Sequence, residues 1–239
     1  MLAVAGKLWC GCQNFIHVLN TSSLLIEHSF AVSSDTTRYV LCMVTSGLGV
    51  WVTVTPSAVV RLFHATSYEP LLDVNVAPTV AKILSAATDD IIKQHKSACL
   101  RVTAMLACKD LLWIGTSAGV ILSLPLPHLT STTLNVDVIP TVTGLPHGHT
   151  GHVRFLTCVE ATPGASMDPA GYNKYSFRST KAKENTSGRR ASTSAASTAS
   201  NKLLVISGGD GYEDFSSSSG LGEQAGHDDS TNHLLLWHV

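Results

Sequence analysis

The sequence predicts an all-β protein, a partial β-propeller of about four blades of four antiparallel strands, with a last blade that lacks its outer strand. Three observations carry this reading. A hairpin phrase recurs four times along the 239 residues, in stricter or looser form. Trp9, Trp51 and Trp113 mark the first three copies at separations of 42 and 62 residues, close to the ~40–45-residue period of a four-stranded blade with one insertion in the third unit. The runs between the turns are short and rich in Val, Ile, Leu and Trp, as strands bounded by turn residues are.

The first blade, residues 1–36, opens with MLAVA and continues through the hairpin KLWCGCQNFIHVLN (7–20) to LLIEHSFAV, which ends at Val32. The second, 37–78, takes RYVLCMV as its first strand, GVWVTVTPSAVVRLF (49–63) as its hairpin with Pro56-Ser57 in the turn, and LLDVNV (71–76) as its outer strand. Residues 79–97 are an inter-blade insertion. VAKILSAATDDIIKQHK (80–96) spaces Val80, Ile83, Leu84, Ile91 and Ile92 among charges, a pattern that predicts a short helix or an ordered loop.

The third blade, 98–140, reads LRVTAML, then the hairpin LLWIGTSAGVILSL (111–124), then TLNVDVI (133–139) as the expected outer strand. The fourth, 148–239, is broken twice. HVRFLTCV (152–159), LLVISGGDG (203–211) and HLLLWHV (233–239) supply three strands. Between them stand a Ser/Thr-rich loop, 160–202, expected to be disordered because its later half has almost no large apolar residue, and a polar Gly/Ser-rich loop, 211–232. Long surface loops are tolerated because closure entropy grows slowly with length.

Sets of such sheets follow from burial. One small sheet has two apolar faces and cannot cover both, so neighbours must stack. A blade without its outer strand also leaves an unpaired edge. The sequence is therefore read as the last blades of a larger propeller, with the rest upstream.

Composition narrows the function. The chain is 44% hydrophobic and 14% charged, with a formal net charge of −1, and no Lys/Arg cluster joins an aromatic platform, so no nucleic-acid partner is expected. No apolar run approaches the ~20 residues of a membrane-spanning helix, so no integral membrane segment is expected. The start, MLAVAG, is too short an apolar run for a secretory signal. Cys10, Cys12, Cys42, Cys99, Cys108 and Cys158 are scattered, mostly within strand-like runs, which fits reduced core thiols and a cytoplasmic protein.

Few residues invite a chemical role. His147, His149 and His152 crowd one stretch, yet no Cys or carboxylate completes a metal-ligand spacing nearby, and no metal is expected. A structural reading fits better. In WD-type repeats a Gly-His pair precedes the innermost strand, a Ser ends the second, an Asp lies in the next turn, and a Trp sits near the end of the third. Gly148-His149, Ser207, Asp210 and Trp237 occupy those places and predict a hydrogen-bonded network across the sheet. The first three blades lack that set, so the repeat is divergent.

Cys10 and Cys12 share a strand face, but without a second pair they read as packing. The glycine-rich Ser207–Gly211 segment lacks the Gly-Lys-Ser/Thr of a nucleotide loop and reads as a turn. No nucleophile elbow, His-Glu-x-x-His or paired carboxylate pattern occurs, so no catalytic residue, no cofactor and no enzyme activity are expected. Arg189-Arg190-Ala191-Ser192 places a hydroxyl after two arginines, making Ser192 a candidate phosphosite at which a phosphate would add ≈ −1.5 to −2 charge.

The wording of the repeats carries a resemblance. KLWCGCQN (7–14), IIKQHKSACLRVTAML (91–106), LLWIGTSAGVIL (111–122), GHTGHVRFL (148–156), LVISGGDGYEDF (204–215) and DDSTNHLLLWHV (228–239) resemble the C-terminal region of a Rho guanine nucleotide exchange factor. The resemblance spans nearly the whole chain and fails mainly in 160–202. It implies a parent in which a Dbl-homology domain and a pleckstrin-homology domain promote GDP release from RhoA-type GTPases in actin cytoskeleton signalling, with a WD-like propeller toward the C-terminus. Neither catalytic domain lies in these residues. The implied role is a noncatalytic protein-interaction or regulatory module with Rho-signalling or actin-linked protein partners. The alternative is a free-standing WD-repeat scaffold without exchange activity.

Overall fold

A computed structural model describes residues 1–87, 90–161, 202–216 and 231–239. The first sheet is a meander of β1 (Leu2–Val4), β2 (Lys7–Cys12), β3 (Phe15–Asn20) and β4 (Ile26–Ala31), each strand antiparallel to the next. The second repeats it with β5 (Tyr39–Ser46), β6 (Gly49–Thr55), β7 (Val59–His64) and β8 (Pro70–Asn75), turning between β6 and β7 after a cis Thr55–Pro56 peptide. The insertion between the second and third sheets forms a helix pair, α1 (Ala77–Ala87) and α2 (Asp90–Ala98). The Asn75 side chain caps the entry, its Oδ1 accepting from the Ala77 amide at 3.0 Å.

The third sheet contains β9 (Val102–Cys108), β10 (Leu111–Thr116), β11 (Ile121–Pro125) and β12 (Thr143–Gly144). Its outer strand is a correction to the sequence reading, because TLNVDVI (133–139) is not a strand. That segment bonds to itself: Thr130 and Thr133 exchange hydrogen bonds, and the Val136 amide donates to the Asn135 side chain at 2.8 Å. The place beside β11 goes instead to the two residues of β12. Helix α1 lies against them so closely that a Cβ on Gly144 would stand 2.0 Å from Ile83 Cδ1.

A two-residue pair follows, β13 (His147–Gly148), which pairs with β16 (Glu213–Asp214). The last sheet is β14 (Val153–Ala161), β15 (Lys202–Asp210) and β17 (Asn232–His238), in that order. Residues 160, 161 and 202 thus belong to strands rather than to the loop expected over 160–202, whose remainder, with Ser192, lies outside the described residues. The polar loop expected from residue 211 also begins later. Residues 213–214 are paired, and Phe215 is buried in the core between the second and third sheets.

Packing runs from each sheet to the next through the first strands: β1 and β2 against β5, β5 against β9, and β9 against β14. A tryptophan sits in each of the three cores so formed. Trp9 packs with Val4, Ile16, Val52 and Phe63 between the first and second sheets. Trp51 packs with Leu62, Val102 and Leu112 between the second and third. Trp113 packs with Ile121, Val153 and Val205 between the third and last, its ring 6.1 Å from that of Trp237. Each tryptophan stands on a second strand and faces the following sheet, which is why the three repeat. Glycine makes room beside two of them, since a Cβ on Gly11 would meet Val40 at 2.8 Å and one on Gly115 would meet Val153 at 2.5 Å.

Candidate functional site

The approach to the last sheet sets a histidine into its centre. His149 follows β13, and its amide donates to the Gly119 carbonyl in the turn between β10 and β11 at 2.9 Å. Gly119 holds φ +84° there, and a Cβ on it would fall 1.7 Å from the His149 carbonyl oxygen, so glycine meets both the backbone and the space requirement. On the other side, Gly209 lets the imidazole lie flat against β15, where a Cβ would stand 2.6 Å from the ring.

The buried imidazole is bonded at both nitrogens. Nδ1 lies 3.0 Å from the Gly211 carbonyl, and Nε2 lies 3.1 Å from Ser207 Oγ. A carbonyl only accepts, so Nδ1 carries the proton and donates, and Nε2 accepts from the Ser207 hydroxyl. The Trp237 indole N–H then donates to Ser207 Oγ at 3.5 Å. The chain of donors runs from strand β17 through β15 to His149 and on to the Gly211 carbonyl. Burial pushes the His149 imidazole below its ordinary pKa, with the Gly211 hydrogen bond opposing in part, so the ring is neutral at pH 7.

Three of the four residues predicted to form a network therefore meet: His149, Ser207 and Trp237. Asp210 acts on His149 through its charge but shares no hydrogen bond with the imidazole, and this is a correction. Its carboxylate takes a two-pronged bond from Arg154, Nε at 2.9 Å and Nη2 at 2.8 Å. That contact, first of several, holds its pKa below the usual carboxylate range. The Gly211 carbonyl, not Asp210, accepts from the imidazole Nδ1. Arg154 is the bulged residue of β14, where the register shifts between Val153 and Phe155, and the bulge sends its side chain across to Asp210.

The neighbouring histidines serve different partners. His147 Nδ1 lies 3.0 Å from the Tyr212 hydroxyl and 3.4 Å from Asp214 Oδ1, which binds β13 to β16. Sequence reasoning missed this small sheet, since two-residue strands leave no periodic signal. Burial and the nearby Arg101 and Arg154 depress the His152 pKa. Among the described residues no group of three or more His, Cys, Asp or Glu stands close enough to hold a metal ion, and no helix is long and apolar enough to cross a membrane. A groove of about 520 Å³ between α1 and residues 142–146 is lined mainly by Ile83, Val142, Leu145 and Phe215, with Lys82 its one charged side chain among the described residues.

The arrangement tightens a sheet rather than presenting a reactive group. Ser207 and His149 are fully buried.

Comparison with known proteins agrees with this architecture. The chain is 48% identical over 248 aligned positions to Rho guanine nucleotide exchange factor 17 of Homo sapiens, and likewise to that of Mus musculus, an alignment that covers 100% of this chain and 12% of each relative. It is 30% identical over 277 positions to C-Jun-amino-terminal kinase-interacting protein 4 of Homo sapiens, covering 100% of this chain and 20% of that protein. The chain thus spans about an eighth to a fifth of the length of these relatives. A family model described as the WD40 repeated domain matches residues 1–202. With its meander sheets stacked face to face and this match over most of its length, the chain belongs to the WD40 repeated domain family.

Proposed function

We propose that these residues form a noncatalytic, protein-binding propeller segment of a Rho-family guanine nucleotide exchange factor, whose parent protein promotes GDP/GTP exchange on RhoA-type GTPases in the cytoplasm and acts on the actin cytoskeleton. The observation that carries the reading is the 48% identity over the whole chain to Rho guanine nucleotide exchange factor 17. The fold supports it physically. Side chains capable of chemistry, His149 and Ser207 above all, are consumed in holding strands together, whereas the sheet edges and faces are what a partner could touch. Exchange would then belong to a domain elsewhere in the parent, and this segment would position or restrain it.

The 30% identity to C-Jun-amino-terminal kinase-interacting protein 4, also over the whole chain, favours a second reading: a WD-repeat scaffold with no exchange domain attached. Two measurements separate the possibilities. The transcript upstream of Met1 is expected to encode a Dbl-homology domain, and an open reading frame lacking one would favour the scaffold. Purified chain added to a RhoA nucleotide-release assay is expected to leave the rate unchanged. Acceleration by these residues alone would overturn the noncatalytic reading.

A further inference from the structure

Two of the six cysteines face each other across the junction of the third and last sheets. The first strands of neighbouring sheets lie side by side there, β9 against β14, and Thr103 Oγ1 donates to the Val153 carbonyl at 2.6 Å. Both strands open their sheets, so they run in the same direction. Five residues beyond that bond on each strand lie Cys108 and Cys158. Side-chain alternation agrees with the offset. Leu156 of β14 packs into the core containing Cys108 and Trp113, and Cys158, two residues on, shares its face. Burial, then the neighbouring Cys158 thiol, pushes the Cys108 thiol above its ordinary pKa. Cys108 is buried and Cys158 exposed, and both are free thiols.

We propose that Cys108 and Cys158 are an oxidisable pair that closes, in the presence of a hydroperoxide, to a disulfide stapling the third sheet to the last. Cys158 is the entry point because solvent reaches it. Its thiolate attacks the hydroperoxide, forming an S–O bond as the O–O bond breaks. The sulfur gives up two electrons, and the departing oxygen is protonated to water or an alcohol. Cys108 then loses its proton to solvent and attacks the Cys158 sulfur, forming the S–S bond and releasing the sulfenic oxygen as water. Side-chain rotation brings the sulfurs to the ~2.05 Å of a disulfide. A dithiol reductant reverses the link. Because the thiolate of Cys108 is scarce at neutral pH, the closing step speeds up as pH rises.

The test is to treat the reduced 239-residue chain with hydrogen peroxide, block remaining thiols, and digest with trypsin without reduction. The expected product joins peptide 102–109 to peptide 155–174 at two hydrogens below their summed mass, as the dominant disulfide. It disappears on reduction and in the variant Cys158→Ser, an exposed position where folding is not at risk. In Cys108→Ser, Cys158 should accumulate instead as a sulfenic acid captured by dimedone. In strong denaturant the preference for this pair should be lost. The proposal is overturned if both peptides are recovered singly, with their cysteines still alkylatable or over-oxidised. Cys158 linked chiefly to Cys12, Cys99 or another chain would overturn it too, as would an unchanged preference for the pair in denaturant.

Discussion

A single buried imidazole shows how a residue's partners set its behaviour. His149 donates from Nδ1 to the Gly211 carbonyl and accepts at Nε2 from Ser207; a second proton on the ring leaves the first bond in place but turns Nε2 into a donor, so the bond from the Ser207 hydroxyl cannot keep its direction. Its folded pKa is lowered, chiefly by burial, against about 6.5 in an unfolded chain. The unfolded state therefore binds the proton first. The network's stabilisation is complete above that value and is lost progressively as pH falls below it toward the folded pKa. Denaturant unfolding at pH 7.5 and 5.5 should show the chain less stable in acid, and His149→Gln should flatten that dependence; an equal acid loss in the variant would assign it to other groups. Ser207→Ala leaves the imidazole acceptor and the Trp237 N–H unpaired, at a cost of about 1–3 kcal/mol, visible at pH 7.5 where the histidine is neutral. The sequence placed His149, Ser207 and Trp237 together because their spacing is that of a repeat. It misplaced Asp210 because a bulge at Arg154 and the carbonyl of Gly211 are backbone features that residue types do not announce.

Among elements, the second strands of the sheets were the most legible, and for a physical reason. A strand buried on both faces is mostly apolar, as in β6, which is buried at all seven positions with Val50, Trp51, Val52 and Val54 in the core, and its tryptophan fills the gap to the next sheet. The outer strands were least legible because they touch one neighbour only. TLNVDVI has a strand's composition, yet Leu134, Val138 and Ile139 are exposed, and the ladder went to a pair of residues wedged under helix α1. The spacing over 80–96 predicts a short helix or an ordered loop without choosing between them, and the structure has two helices there. This ordering predicts unequal sensitivity. Trp51→Ala removes a fully buried ring from the core between the second and third sheets and should cost about 3–5 kcal/mol. Trp237→Ala, in a strand with no outer neighbour among the described residues, should cost markedly less. Gly115→Val drives side-chain atoms into Val153, already 2.5 Å from the position of an alanine Cβ, and should cost about 1–3 kcal/mol by overpacking. Urea midpoints for the three variants test the order, and a Trp237→Ala loss equal to that of Trp51→Ala would contradict the account of where the cores lie.

For the whole molecule, the decisive fact is that stacking passes from sheet to sheet in one direction, with no packing of comparable extent between the first sheet and the last among the described residues. Two apolar faces are left at the ends of the stack. Phe15 and Ile26 are exposed on the first sheet, and Phe155, Val159, Leu234 and Leu236 on the last, at 39–61% exposure. The last four share a face, since Phe155 and Val159 alternate with core-facing Leu156, and Leu234 and Leu236 alternate with core-facing Leu235 and Trp237. Beside them runs the edge of β17, whose outward backbone groups face no further strand among the described residues. Contiguous apolar surface next to an open edge favours association, so the isolated chain should self-associate as its concentration rises. The double substitution Leu234→Lys and Leu236→Lys points two charges away from the core and should shift sedimentation toward the monomer without lowering the stability by more than about 1 kcal/mol. If the parent chain and the double variant sediment identically as monomers, these faces are not adhesive, and the stack must be closed by contacts outside the described residues. If the variant loses its folded signal instead, the two leucines face inward, and the assignment of the outer face fails.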